Sequence, residues 1–174
     1  MRILAHIGVA WAVMLVAGAA WPFEKMAPDL PLVFAAYLGV TARDRVPHAT
    51  MGAIAIGYLA DLLSGTPRGL LALVCGLICL GGRLVSSRLL VRGRGFVAAY
   101  AGANALGAAI LLAAIRVYLG VPLGGLGREV LMAVTAALLT ALVAAPLFRL
   151  CREVDARLAR TVREREAVRE GYLS

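Results

Sequence analysis

One carboxylate, Asp61, stands in the otherwise apolar run "GYLADLLSGTPRG", Gly57 to Gly69, in a chain that is 61% hydrophobic. Removing a carboxylate from water costs several kcal/mol, about the energy of a few good hydrogen bonds. An ionisable residue in such a place faces the protein interior and has a partner. A proton or ion pathway would want further acids in the apolar segments, and Asp61 is alone among them. A polar tie is the better reading. Arg68, just across the turn, is the nearest charge in sequence. The backbone amides of Gly65 to Pro67 are a second set of partners. Asn104, the other strongly polar residue well inside an apolar segment, is a third, since amide side chains bond across helices at about 0.6–2 kcal/mol. A helix from another protein is the fourth. The punctuation after Asp61 fits a tight helical hairpin. Gly65 suits the left-handed position past a helix end, Thr66 suits a cap, and Pro67 suits the first helical position.

The remaining reactive side chains do not assemble into a catalytic set. Cys75 and Cys79 are four apart and share a helix face, with no His or carboxylate cluster beside them in sequence. Metal sites need more ligands, and buried Cys behaves as a small hydrophobe. Cys151 brings the thiols to three, with no disulfide framework implied. His6 and His48 fall near apolar-segment ends, where headgroups or loop backbone are the expected partners. Neither is paired in sequence with a nucleophile, and no paired acids suggest general acid–base work. The reading is therefore no enzyme, no cofactor and no metal.

Composition says what must hold these residues. Charged residues make up 16% of the 174, against about 25% in soluble domains, and mean hydropathy is +0.86. Long apolar runs without period-2 alternation predict an all-α polytopic membrane bundle, since lipid admits only helices or closed barrels. About six spans of about 17–20 residues fit: near Ile3–Ala20, Leu30–Thr41, Ala49–Ser64, Pro67–Leu90, Phe96–Leu119 and Val130–Leu150. The second is short for a full crossing. Trp21 and Phe23 suit an interface. The first segment lacks a small-residue cleavage site and reads as a retained helix.

The net charge of +8 would suggest nucleic acid in a soluble protein, but no stacking-plus-basic pattern supports that. Placing the N-terminus in the cytoplasm leaves only Lys25, Arg68, Arg116 and Arg128 on outer segments, with every other Arg inside. That asymmetry predicts both termini in the cytoplasm. The chain divides into a transmembrane bundle, 1–150, and an Arg-rich amphipathic tail, 151–174. Leu150, Val154, Leu158 and Val162 form an apolar stripe on the tail helix. Glu153–Arg157 is one of its i,i+4 pairs, worth a few tenths of a kcal/mol. The tail suits the inner leaflet's anionic lipid. Small residues, among them Gly52, Gly57, Gly76, Gly81, Gly82, Gly102 and Ala105, permit close helix packing.

"APDLPLVFAAYLGV" followed by "GAIAIGYLADLLSGTPRGLLAL" resembles MreD, the rod-shape-determining membrane protein family of bacterial cell-wall elongation. The shared features fall on Pro28, Tyr37, Gly52, Gly57, Asp61, Gly65, Pro67 and Gly69. The family pattern carries an apolar residue where Arg68 stands, so an Asp61–Arg68 pair would be a property of this sequence alone. The resemblance is most specific between Pro28 and Leu73. It implies a fold similar to the six-helix substrate-binding subunits of energy-coupling-factor transporters. It also implies a non-enzymatic inner-membrane scaffold that associates with an MreC-like single-span protein. Through that protein it would connect to MreB, to the glycan polymerase and to the class B penicillin-binding protein. The alternative is a substrate-binding subunit of a vitamin-type transporter, which would need an outward pocket with several polar groups.

Overall fold

The structure is a computed structural model that describes residues 2–20, 27–41, 46–64, 69–88, 94–120 and 125–171. At 2, 20, 87, 88, 94, 126 and 161–171 it describes the backbone alone. Six helices account for nearly all of these residues: α1 (Arg2–Ala20), α2 (Leu30–Thr41), α3 (Val46–Ser64), α4 (Leu70–Arg88), α5 (Arg94–Tyr118) and α6 (Leu126–Gly171). No strand occurs among the described residues. Three segments, Val46–Ser64, Gly95–Tyr118 and Gly127–Arg160, are long and apolar enough to cross a membrane.

The organising element is the shortest helix. Every residue of α2 from Leu32 to Gly39 is buried. A helix that is apolar all round belongs in an interior, and α2 is the post around which the other five pack. Its 12 residues span about 18 Å at 1.5 Å each, short of the about 20 residues a crossing needs. Its shortness thus goes with a place in the core. The surface is apolar too: Leu4, Met51, Leu84, Leu138 and Leu142 are each about two-thirds exposed or more. Such side chains around a helical bundle suit lipid and not water.

Glycine sets the closest approaches. A Cβ on Gly39 of α2 would fall on the Cys79 carbonyl of α4, and one on Gly82 would lie 3.3 Å from the Gly39 backbone. Only side chains of this size let α2 and α4 cross backbone to backbone. Gly102 brings α5 onto α6, where an added Cβ would lie 3.2 Å from that of Ala141. Gly81, by contrast, faces open space.

Helix boundaries shift from the sequence expectation in two instructive places. α3 begins at Val46 and not near Ala49, because Pro47 sits in the first turn, where its missing N–H costs nothing. α4 begins at Leu70 and not at Pro67. Gly69 has φ +94°, a left-handed backbone that cannot continue a helix. Gly65, Thr66, Pro67 and Arg68, the expected cap and turn, lie outside the described residues. α6 is continuous past the expected end at Leu150 and through Pro146, a residue that removes one internal helix bond.

Candidate functional site

The bundle holds a buried carboxylate, Asp61, and a half-buried one, Asp155, at opposite ends, and a third acid, Asp29, lines a cavity near the first. Gly57 and Asp61 are four residues apart and so share a face of α3. That face meets the beginning of α4. A Cβ on Gly57 would sit 2.5 Å from the Leu71 carbonyl oxygen and 2.7 Å from the Ala72 Cα. The glycine thus lets α4's first turn lie directly on α3, and Asp61 then reaches the free amides of that turn. Its Oδ2 accepts from the Gly69 N–H at 2.9 Å and the Ala72 N–H at 3.3 Å, and its Oδ1 accepts from the Leu71 N–H at 3.1 Å. Asp61 is 1% exposed.

The first amides of a helix have no intrahelical acceptor, and the helix dipole favours an anion there. Asp61 therefore caps α4 from a neighbouring helix. Its place near the C-terminus of its own helix is unfavourable, and the N-terminus of α4 offsets it. The expected donors from Gly65 to Pro67, and Arg68, lie outside the described residues; the described donors are the amides of Gly69, Leu71 and Ala72. Asn104 is not one of them. It lies half-buried on α5 and donates through Nδ2 to the Tyr100 carbonyl of its own helix at 2.8 Å. Gly52 lies on another face of α3, against Ile3 and Leu38.

At the other end stands a cluster that the sequence did not announce. Tyr37 of α2 donates its hydroxyl to Asp155 Oδ2 of α6 at 2.7 Å, across 118 residues of sequence. His6 of α1 lies with Nε2 3.6 Å from Asp155 Oδ1, an ion-pair distance when the imidazole is protonated. The His6 and Tyr37 rings stack at 5.6 Å, and Phe148 meets Tyr37 edge-on at 5.1 Å. His6 is 1% exposed, so it is an interior residue and not the interfacial one expected. His48, near the start of α3, is exposed. Cys151 is buried and Val154, Asp155 and Leu158 are half-buried, while Leu150 is exposed. The face that packs therefore runs through 151, 154, 155 and 158, rotated from the expected stripe through Leu150. Val162 lies outside the described side chains. Glu153 and Arg157 do pair, at 3.3 Å on the exposed side.

α6 also grips the other end of α2. Thr140 is fully buried; its hydroxyl accepts the Asp29 N–H at 2.9 Å and donates to the Ala136 carbonyl at 2.7 Å. Asp29 precedes α2 and lies on the wall of a cavity of about 530 Å³. Burial pushes its carboxyl up from the usual 3.8 to about 6. Asp29 and Asp61 both lie within electrostatic reach of Cys75. Asp61 is thus not alone in space, although it is alone in its apolar run. Cys75 and Cys79 are buried in α4, and Cys79 Sγ accepts from the Thr50 hydroxyl at 4.0 Å.

No family model, no curated protein and no solved structure matches this chain. Fold and sites together define a class: an all-helical protein, three of whose helices are able to cross a membrane.

Proposed function

We propose that this protein is a membrane scaffold similar to MreD, without catalysis of its own, serving rod-shaped cell-wall elongation. In this reading it sits in the bacterial inner membrane with six helices inserted and both termini in the cytoplasm. It binds an MreC-like single-span protein and so connects to MreB, the glycan polymerase and the class B penicillin-binding protein. The observation that carries the reading is the α3–α4 corner. Three of the residues behind the resemblance, Gly57, Asp61 and Gly69, meet there as one unit. A motif whose spacing is demanded by one capping geometry is a stronger basis than matching letters. The apolar outer faces of α5 and α6, exposed at Ile110, Leu131, Leu138 and Leu142, offer room for a partner's single span.

Affinity capture of the full-length protein from gently solubilised membranes tests it. Recovery of a single-span MreC-like protein, together with loss of rod shape on depletion, is the expected result. Capture without that partner and unchanged cell shape would overturn it. Reporter fusions at both termini and at residues 42–45 and 121–124 test the six-span topology.

The cavity beside Asp29 favours a second reading, a small-molecule-binding transporter subunit. A thermal shift with a vitamin-type compound, and co-purification with an ATPase module, would displace the scaffold reading.

A further inference from the structure

The cavity at the Asp61 end is built from four helices and the segment that leads into α2. Met14, Ala17 and Gly18 of α1 form one wall, Ala60, Leu63 and Ser64 of α3 another, and Leu71 of α4 closes the base, with Ala27 to Pro31 opposite. At about 530 Å³ it falls within the range of small-ligand pockets. Its lining side chains are apolar except for the Asp29 carboxyl and the Ser64 hydroxyl, and the latter donates to the Ala60 carbonyl at 2.8 Å. None of the described lining residues is basic.

Asp29 differs from the other two acids in the core. Asp61 is satisfied by three backbone amides and Asp155 by a phenol. The Asp29 main chain is held through its own N–H by Thr140, which anchors the residue at the cavity wall. The helix packing thus places one carboxyl among apolar lining side chains, an arrangement suited to a cation with an apolar body.

We propose that this cavity binds a ligand bearing a primary ammonium group on a small apolar body, with the Asp29 carboxylate as its counter-ion. An ammonium supplies three donors in a compact head. At a half-buried carboxylate the ion pair is screened less than at an open surface. The apolar remainder gains from leaving water at about 25 cal/mol per Å². The pairing uses the ionised carboxyl. Among the described residues, α1 and α3 present no ionisable side chain to the cavity, Asp61 is turned to the amides of α4, α4 contributes Leu71, and α6 contributes the Thr140 hydroxyl that holds the Asp29 N–H. With the free carboxyl titrating near 6, binding weakens as pH falls below that value. The inference rests on the cavity and Asp29 alone and stands or falls separately from the scaffold reading.

The ammonium could belong to a free amine or to an aminophospholipid headgroup, and the test separates them. The full-length protein is placed in phosphatidylglycerol nanodiscs and titrated into 4-fluorobenzylammonium at pH 7.5, followed by fluorine NMR. Empty nanodiscs give the baseline. 4-Fluorobenzyl alcohol gives the uncharged control. Saturable binding of the amine, at least tenfold weaker for the alcohol and for Asp29→Asn, is expected, with about tenfold loss at pH 5. Gly18→Leu adds volume at a lining position that has open space, and it should also weaken binding while leaving Asp29 intact. Repeating the titration with phosphatidylethanolamine in the disc assigns the source. Competition by the lipid, with its retention by the wild type but not by Asp29→Asn, identifies a headgroup; undiminished binding identifies a free amine. Thermal unfolding checks that each variant is folded. No saturable binding by the wild type, or equal binding by the alcohol or by folded Asp29→Asn, would overturn the proposal.

Discussion

Asp61 and Asp155 occupy opposite ends of the bundle and solve one problem in two ways. Each is a carboxylate among apolar helices. Asp61 takes backbone amides 8 to 11 residues further along the chain. Asp155 takes a phenol 118 residues away and stands beside a histidine of the first helix. The first tie is local: it closes one hairpin and caps one helix. The second joins α1, α2 and α6, and so fixes the far part of the chain onto the near part. Local ties set the shape of a corner, whereas long-range ties set the assembly of the whole.

The comparison predicts its largest effect at Asp61. Asp61→Ala strands three amides in a buried place, and we expect a loss of about 3–5 kcal/mol of stability, measured by equilibrium unfolding in mixed micelles. Asp61→Asn keeps one acceptor oxygen and should lose less. Arg68→Ala should cost less than Asp61→Ala, which gives up three amides at once. A loss on Arg68→Ala comparable to that on Asp61→Ala would mean that the corner depends on an ion pair.

Asp29 lies at the same end but behaves oppositely. Its folded-state pKa of about 6 exceeds the ordinary 3.8, so the folded protein holds the proton more tightly than the unfolded chain. The stability this contributes is fully present below pH 3.8 and is lost as pH rises through about 6. The total is at most about 3 kcal/mol. Asp29→Asn should remove this pH slope and raise the unfolding midpoint at pH 7.5. A variant equal to or less stable than the wild type there would show that the carboxylate is compensated in the folded state.

Tyr37→Phe comes next and probes the far end. It removes one hydrogen bond to a charged acceptor, about 1.5–3 kcal/mol, at a site where Asp155 keeps 20% side-chain exposure and can take water instead. We expect about 1.5 kcal/mol, accompanied by faster hydrogen exchange in α6 from 150 to 158 than in α3 or α4. Uniform acceleration across all helices would mean that the tie holds the whole bundle and not α6 alone.

The two ends also differ in how far the sequence announces them. Gly57, Asp61 and a following glycine lie within one short run, and helical spacing alone puts Gly57 and Asp61 on a shared face. Local reading did not reach the donors Gly69, Leu71 and Ala72, because Pro67 suits a helix start while the left-handed Gly69 sets the start at Leu70. The other end offers no such run. Asp155 stands in an Arg-rich stretch where a carboxylate reads as one more solvated charge, and Leu150 draws the apolar stripe off the packing face, although Val154 and Leu158 lie on it. The spacing 151, 154, 155, 158 follows the helical repeat and is the one signal that marks the packing face. Even so, nothing local ties it to Tyr37 or His6. Asp29 is similar: nothing in its short stretch marks it, and only the packing of four helices makes it the wall of a cavity. The central place of α2 was not legible. Its shortness for a full crossing is plain in the sequence, but an apolar circumference suits lipid as well as a protein core.

The smallest effect belongs to the exposed charges of α6 and tests what holds that helix. Glu153 and Arg157 pair at 3.3 Å with side chains 61% and 77% exposed. Water and salt screen such a pair, and Arg157→Ala should cost no more than about 0.5 kcal/mol. High salt should mask even that. The opposite face is where α6 meets the bundle, through the buried Cys151 thiol and the Asp155–Tyr37 bond. If Arg157→Ala released α6 as measured by hydrogen exchange at 150–158, the charged face would be holding it. If it leaves that exchange unchanged while Tyr37→Phe accelerates it, the helix is held by the face that the Arg-rich composition conceals.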